Sequence, residues 1–171
     1  RNIVDEAFAH VASCITNERR LSEYDLQQFI LSRIRDAGMT TSSAPIAAVD
    51  AHSADPHYGP TESSPSLITR DNLVLIDLWA KQTAPGSVYG DITWTGYTGT
   101  EVPAKQRMIF EHVRRGRDAA LSFVQDQVAT GRFPCGWEVD DVCRTTIRTA
   151  GYGDFFIHRT GHSIGEEVHG N

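Results

Sequence analysis

The run LVLIDLW, residues 73–79, sets one carboxylate, Asp77, among apolar side chains. Branched and aromatic residues in so short a run read as a buried strand. Residues 88–99, VYGDITWTGYTG, read as a returning strand, and Pro85-Gly86 between the two marks a turn. The expected product is an antiparallel hairpin with a long loop, the first strand buried on both sides of Asp77. An ionised carboxylate in such a place costs several kcal/mol unless it is paired or bound to a cation. The second strand carries Asp91, and a hairpin can turn Asp77 and Asp91 toward one face of the sheet. Two carboxylates that close repel each other, and one takes up a proton unless a divalent cation lies between them.

The rest of the chain supplies mostly helices. Ile3, Val4, Ala7, Phe8 and Val11 recur at helical spacing. A second helix is announced by Ser22 as cap with Asp25 three residues on, a stripe of Leu26, Phe29, Ile30 and Ile34, and Gly38 at its end. Residues 45–49 form a short apolar run of strand type, and residues 51–66, rich in Ser, Pro, His, Asp and Gly, form a loop. Pro103 opens a long helix with Ile109, Val113, Ala120, Val124 and Val128 on one face and Gly131 beyond its end. WEVDDVCRTTIRTAG is a further amphipathic helix closed by Gly151, and FFIH, residues 155–158, reads as a last strand. This order predicts an α+β fold with an antiparallel sheet.

A length of 171 residues suits a single domain spanning 1–171. The net charge of −6 argues against nucleic acid as a partner, because phosphate binding needs clustered cations; Arg114, Arg115 and Arg117 read as one solvated helix face. No run of eighteen apolar residues suggests a membrane span. Cys14, Cys135 and Cys143 lack metal-type spacing and suit a reducing compartment as small apolar fillers. With no signal-type N-terminus, the cytoplasm is the expected location. The chain opens on Arg1 inside a helical pattern and stops at VHGN, which reads as a fragment of a longer protein.

Three of the seven histidines, His158, His162 and His169, lie in HRTGHSIGEEVH, with Gly161 and Gly165 framing the middle one. Glycine there permits close backbone approach. His162 with Asp77 and Asp91 makes a mixed oxygen–nitrogen donor set, suited to Mn, Fe, Co or Zn rather than a thiolate zinc site. On the residues alone two readings stand: strand aspartates hydrogen-bonded to backbone, or ligands of a metal.

Together, LVLIDLW, YGDITWTG and HRTGHSIGEEVH resemble the pita-bread metallopeptidases, the Xaa-Pro aminopeptidases, prolidases and methionine aminopeptidases, with the Xaa-Pro branch most similar. The resemblance implies a curved antiparallel sheet with helices packed on its outer face and two divalent ions, Mn, Co or Zn, in its concave face. It assigns Asp77, Asp91 and His162 as metal ligands, His158 and His169 as catalytic histidines contacting substrate, and His57 as a substrate-binding residue. The implied reaction is hydrolysis of the N-terminal peptide bond of a short peptide, with proline second, by a metal-bridged hydroxide. A homodimer is expected.

The departures are specific. The family usually has a small residue and glycine after the first aspartate, where Leu78 and Trp79 stand here; its aspartates are usually a few residues closer; and Trp94 stands where arginine is usual. Two glutamate ligands of the family lie beyond the histidine motif, past Asn171, so the fold is expected to be incomplete at its C-terminus and the chain alone inactive. Two other functions fit the resemblance: a non-catalytic pita-bread module binding partner proteins, and a creatinase-like amidinohydrolase, which the retention of both aspartates disfavours.

Overall fold

The computed structural model describes residues 1–170. In chain order the elements are helix α1 (Asn2–Thr16), helix α2 (Glu23–Asp36), strands β1 (Met39–Thr40), β2 (Ile46–Val49), β3 (Leu73–Gln82) and β4 (Gly90–Tyr97), and helices α3 (Ala104–Ala129) and α4 (Gly136–Thr149). The chain divides into two compact units: Arg1–Glu101 with the segment from Ser163 onward, and Val102–His162.

In the first unit β3 is the central strand. It pairs antiparallel with β2 and β4, while β1 pairs with its far end, so every ladder is antiparallel. Val74, Ile76, Leu78 and Ala80 of β3 are buried and join Val4, Ala7, Val11 and Cys14 of α1 and Leu26, Ile30 and Ile34 of α2 in one core. Residues two apart on a strand share a face, so the alternate set, Leu73, Leu75, Asp77 and Trp79, faces away from that core and is only half-buried. The strand is therefore buried on one side of Asp77, a correction to the expectation of burial on both, because the helices cover a single face. At Gly96 a methyl group would lie 2.7 Å from Cε1 of Phe8, so the glycine lets α1 approach β4.

Helix α2 starts as expected. Ser22 accepts from the Asp25 N–H at 3.1 Å, and the Asp25 carboxylate accepts from the Ser22 N–H at 2.9 Å. The next residue, Glu23, is fully buried, and its carboxylate gathers four donors or partners. The Val49 N–H donates at 2.6 Å, the Tyr58 hydroxyl at 2.6 Å and the Ser66 N–H at 3.3 Å, with His52 Nδ1 at 3.0 Å. Burial first, then the bond to Glu23, pushes the Tyr58 pKa up, which keeps its hydroxyl a donor. The loop following β2 is thus tied to the start of α2 by one side chain, and a short 3-10 turn at Asp50–Ala54 begins it.

The second unit is a helix pair with its own small core of Ala120, Cys143 and Ile147. The buried stripe of α3 runs through Gly116 and Ala120, while Val113 and Val128, expected on the core face, are exposed. A methyl on Gly116 would stand 3.1 Å from both Cys143 Sγ and Ile147 Cγ1. Small residues thus set where α4 seats, and the larger valines turn outward. Gly131 and Gly151 close α3 and α4 at positive φ, as Gly38 closes α2. Residues 155–158 form no strand: Gly153–Phe155 is a 3-10 turn and the chain beyond it is irregular. Cys14 and Cys143 are buried fillers, whereas Cys135 is exposed at the start of α4. Among the described residues no helix is long and apolar enough to cross a membrane.

Because Glu23 is a buried charge satisfied by several donors, removing it orphans all of them. Glu23→Ala is expected to lower unfolding free energy by about 3 kcal/mol, with Glu23→Gln intermediate. Denaturant titration checks this, and an alanine variant as stable as the parent would contradict it.

Candidate active site

The hairpin delivers the two aspartates. In the β3–β4 ladder Asp77 stands opposite Thr93, and Trp79 opposite Asp91. Directly opposed residues share a face, so all four side chains lie on the face turned away from the helices. Asp77 and Asp91 are diagonal neighbours, a relation that spans about 7–8 Å between backbone positions. Both are half-buried, which costs an ionised carboxylate far less than a place in the core. The Thr93 hydroxyl donates to Asp77 Oδ1 at 2.6 Å and so orients that carboxylate.

Two hard, half-buried oxygen donors on one face, one of them held by a hydroxyl, suit a divalent cation. Among the described residues no group of three or more His, Cys, Asp or Glu stands assembled to hold a metal. The hairpin itself offers a pair of carboxylates on one face.

The register also sorts the unusual residues. Leu78 is in the core with the helices. Trp94 lies opposite Ile76 on that same helix-side face, where the Arg1 guanidinium sits 4.1 Å above its ring. Neither touches the carboxylate face. Trp79 does, directly across from Asp91, and its indole Nε1 is buried without a partner among the described residues. Of these departures Trp79 is thus the one that stands on the carboxylate face.

His57 and His169 both belong to the first unit. His57 is exposed in the loop tied down by Glu23, and its N–H donates to Asp55 Oδ1 at 2.9 Å. His52 lies deeper in that loop, bonded to Glu23 and stacked on Tyr58 at 4.3 Å. His169 is exposed in a segment folded back on the hairpin: the Tyr89 N–H donates to the Gly165 carbonyl at 2.9 Å, and Lys81 Nζ to the Glu166 carbonyl at 2.6 Å. That segment begins at Ser163, the residue after His162.

His158 and His162 belong to the second unit; His158 is exposed and His162 half-buried. In place of the expected strand ladder, side chains of α4 hold their segment. Arg144 and Asp140, one turn apart, form a forked pair at 2.8 and 3.2 Å. Arg144 also donates to the carbonyls of Phe156 at 2.7 Å and His158 at 2.8 Å. Asp140 accepts from the Thr160 N–H at 2.8 Å and the Thr160 hydroxyl at 2.9 Å. The hydrogen bond from Arg144, followed by those from Thr160, brings the Asp140 pKa down from 3.8 to about 2. Neither Asp140 nor Arg144 is evident as a site residue in the sequence. Their i, i+4 spacing is the visible signal, and it reads as an ordinary helix-surface pair until residues 156–160 lack a ladder.

A depressed carboxyl pKa contributes stability that is complete above the unfolded value near 3.8 and is lost as pH falls through about 2. The Thr160 amide resonance is expected to stay constant from neutral pH down to about pH 4 and to move with a midpoint near 2. A midpoint at the ordinary carboxyl value would contradict the clamp.

The profile of metallopeptidase family M24 matches residues 1–171. A Xaa-Pro dipeptidase of Lactobacillus helveticus is 34% identical over 137 residues, 80% of this chain and 34% of its own length. The dipeptidase PepE of Mycobacterium ulcerans superimposes with a TM-score of 0.76 at 26% identity, covering 98% of this chain and 42% of that one. The Xaa-Pro dipeptidase of Bacillus anthracis superimposes with a TM-score of 0.72 at 30% identity, over 98% and 43%. The chain spans about a third of the length of the curated relatives it first matches. It belongs to metallopeptidase family M24, on the Xaa-Pro side, with the pita-bread fold over the part it spans.

Proposed function

We propose that the full-length protein is a metal-dependent exopeptidase that cleaves the N-terminal bond of short peptides carrying proline second. The observation that carries this is the pairing of Asp77 with Asp91 on one face of the hairpin, in a chain of the metallopeptidase family. In this proposal Asp77, Asp91 and His162 are metal ligands, completed by residues of the longer protein. When bound, two divalent ions (Mn, Co or Zn) supply an acidified water and a Lewis acid for the scissile carbonyl.

The chain's own side chains do the rest. Asp77 and Asp91 offer negative charge where cations are to be held, with Thr93 fixing the Asp77 carboxylate. His158 and His169 donate hydrogen bonds to the substrate as negative charge grows on its carbonyl oxygen. His57 contacts the substrate from its exposed loop. Proline after the scissile bond has a fixed φ and no N–H, so its recognition rests on shape, and Trp79 beside Asp91 supplies a broad apolar surface on the same face. The partners in this proposal are a short peptide and a second copy of the chain, and the location is the cytoplasm.

The test is turnover of Xaa-Pro dipeptides by the full-length protein. Hydrolysis abolished by a chelator and restored by Mn²⁺ or Co²⁺ is expected; turnover indifferent to chelation, or none at all, contradicts the proposal. Thr93→Val keeps the shape and removes the hydroxyl. It is expected to weaken Mn²⁺ binding about tenfold, as loss of an outer-shell partner does, with unfolding stability little changed; calorimetric titration reads the affinity.

A further inference from the structure

Residues 156–162 carry two of the proposed site histidines on irregular backbone. A loop of this kind holds a geometry only if its polar backbone groups are satisfied. Here the satisfaction comes from two side chains of one helix. Arg144 reaches the carbonyls of Phe156 and His158, and Asp140 takes the amide and hydroxyl of Thr160. The anchored residues alternate, 156, 158 and 160, so two successive two-residue steps are pinned. The Arg144 guanidinium also lies 4.5 Å over the Phe156 ring, fixing the start of the segment by packing as well as by hydrogen bonds. The fork between Asp140 and Arg144 makes the two anchors one rigid unit, and α4 itself is seated on α3 through Cys143 and Ile147 against Gly116.

We propose that Asp140 and Arg144 are positioning residues for the histidine motif, fixing the backbone that presents His158 and, two residues past the Thr160 anchor, His162. This rests on the metallopeptidase function proposed above. Neither side chain is assigned a contact with substrate or metal; they act through the backbone they hold. Lysine cannot replace Arg144, because a point ammonium cannot form the fork to Asp140 and also reach two carbonyls. Asparagine at 140 keeps the shape and loses the charge that strengthens all the bonds it accepts.

The experiment uses the full-length protein with Mn²⁺ and a Xaa-Pro dipeptide. It compares wild type, Arg144→Lys, Asp140→Asn and the double variant. Each single variant is expected to lower kcat by about ten- to a hundredfold, the scale of a small misplacement of reacting groups. KM should change far less, and the melting temperature should fall only modestly, Asp140→Asn also losing the stability that its depressed carboxyl contributes. The double variant should be no worse than the poorer single one, since the pair acts as a unit. Hydrogen exchange is read in parallel, and the Thr160 amide should exchange about tenfold faster or more while the core of α4 stays protected. An unchanged kcat, losses that follow melting temperature variant by variant, or additive losses overturn the proposal. A wild type without metal-dependent turnover sinks the proposed function by itself. Exchange then decides the clamp alone: faster exchange at Thr160 upholds the anchoring, and unchanged exchange in both variants overturns it.

Discussion

The two-residue alternation of β3 governs the rest of the first unit. Val74, Ile76, Leu78 and Ala80 are claimed by the helices, and that burial commits Asp77 and Trp79 to the opposite face. Slipping the strand by one residue would drive the carboxylate into the helical core and turn the apolar set to the other side. The apolar burial that fixes the strand therefore also fixes the direction of its acid. The β4 register then brings Asp91 to the same face, one diagonal step away.

Where regular structure ends, single side chains take over the work of a ladder. Glu23 gathers the backbone of Val49 and Ser66 with His52 and Tyr58, and so moors the loop that carries His57. Asp140 and Arg144 do the same for residues 156–160. The Lys81 and Tyr89 contacts hold the segment that carries His169. All the proposed histidines stand on loops, and the described loops are tied by hydrogen bonds between charged side chains and the loops' own polar groups. Such ties are directional, so they place a loop more narrowly than burial alone can.

Much of this was legible in the chain, and the failures have physical causes. The Ser22–Asp25 cap, the helix-closing glycines at 38, 131 and 151, and the hairpin of β3 with β4 follow from local chemistry and appear as expected. The face of α3 does not, because Gly116 and Ala120 decide its packing and small residues carry little hydrophobic signal. FFIH has strand composition, and no strand among the described residues pairs with it. The role of Glu23 is not legible in the sequence, since its donors come from residues 26 to 43 positions away, which no local pattern can show. The placement of Asp77 was half legible: its face could be foreseen, its partial exposure could not.

We propose that Asp77 and Asp91, turned to one face by the strand register, hold metal together. Mn²⁺ titration of the metal-free full-length protein, followed by electron paramagnetic resonance, tests it most directly. Saturable binding that is lost in Asp77→Asn and equally in Asp91→Asn, with both variants still folded, is the predicted result. Variants that bind Mn²⁺ as the parent does, or a parent that binds none, would contradict it.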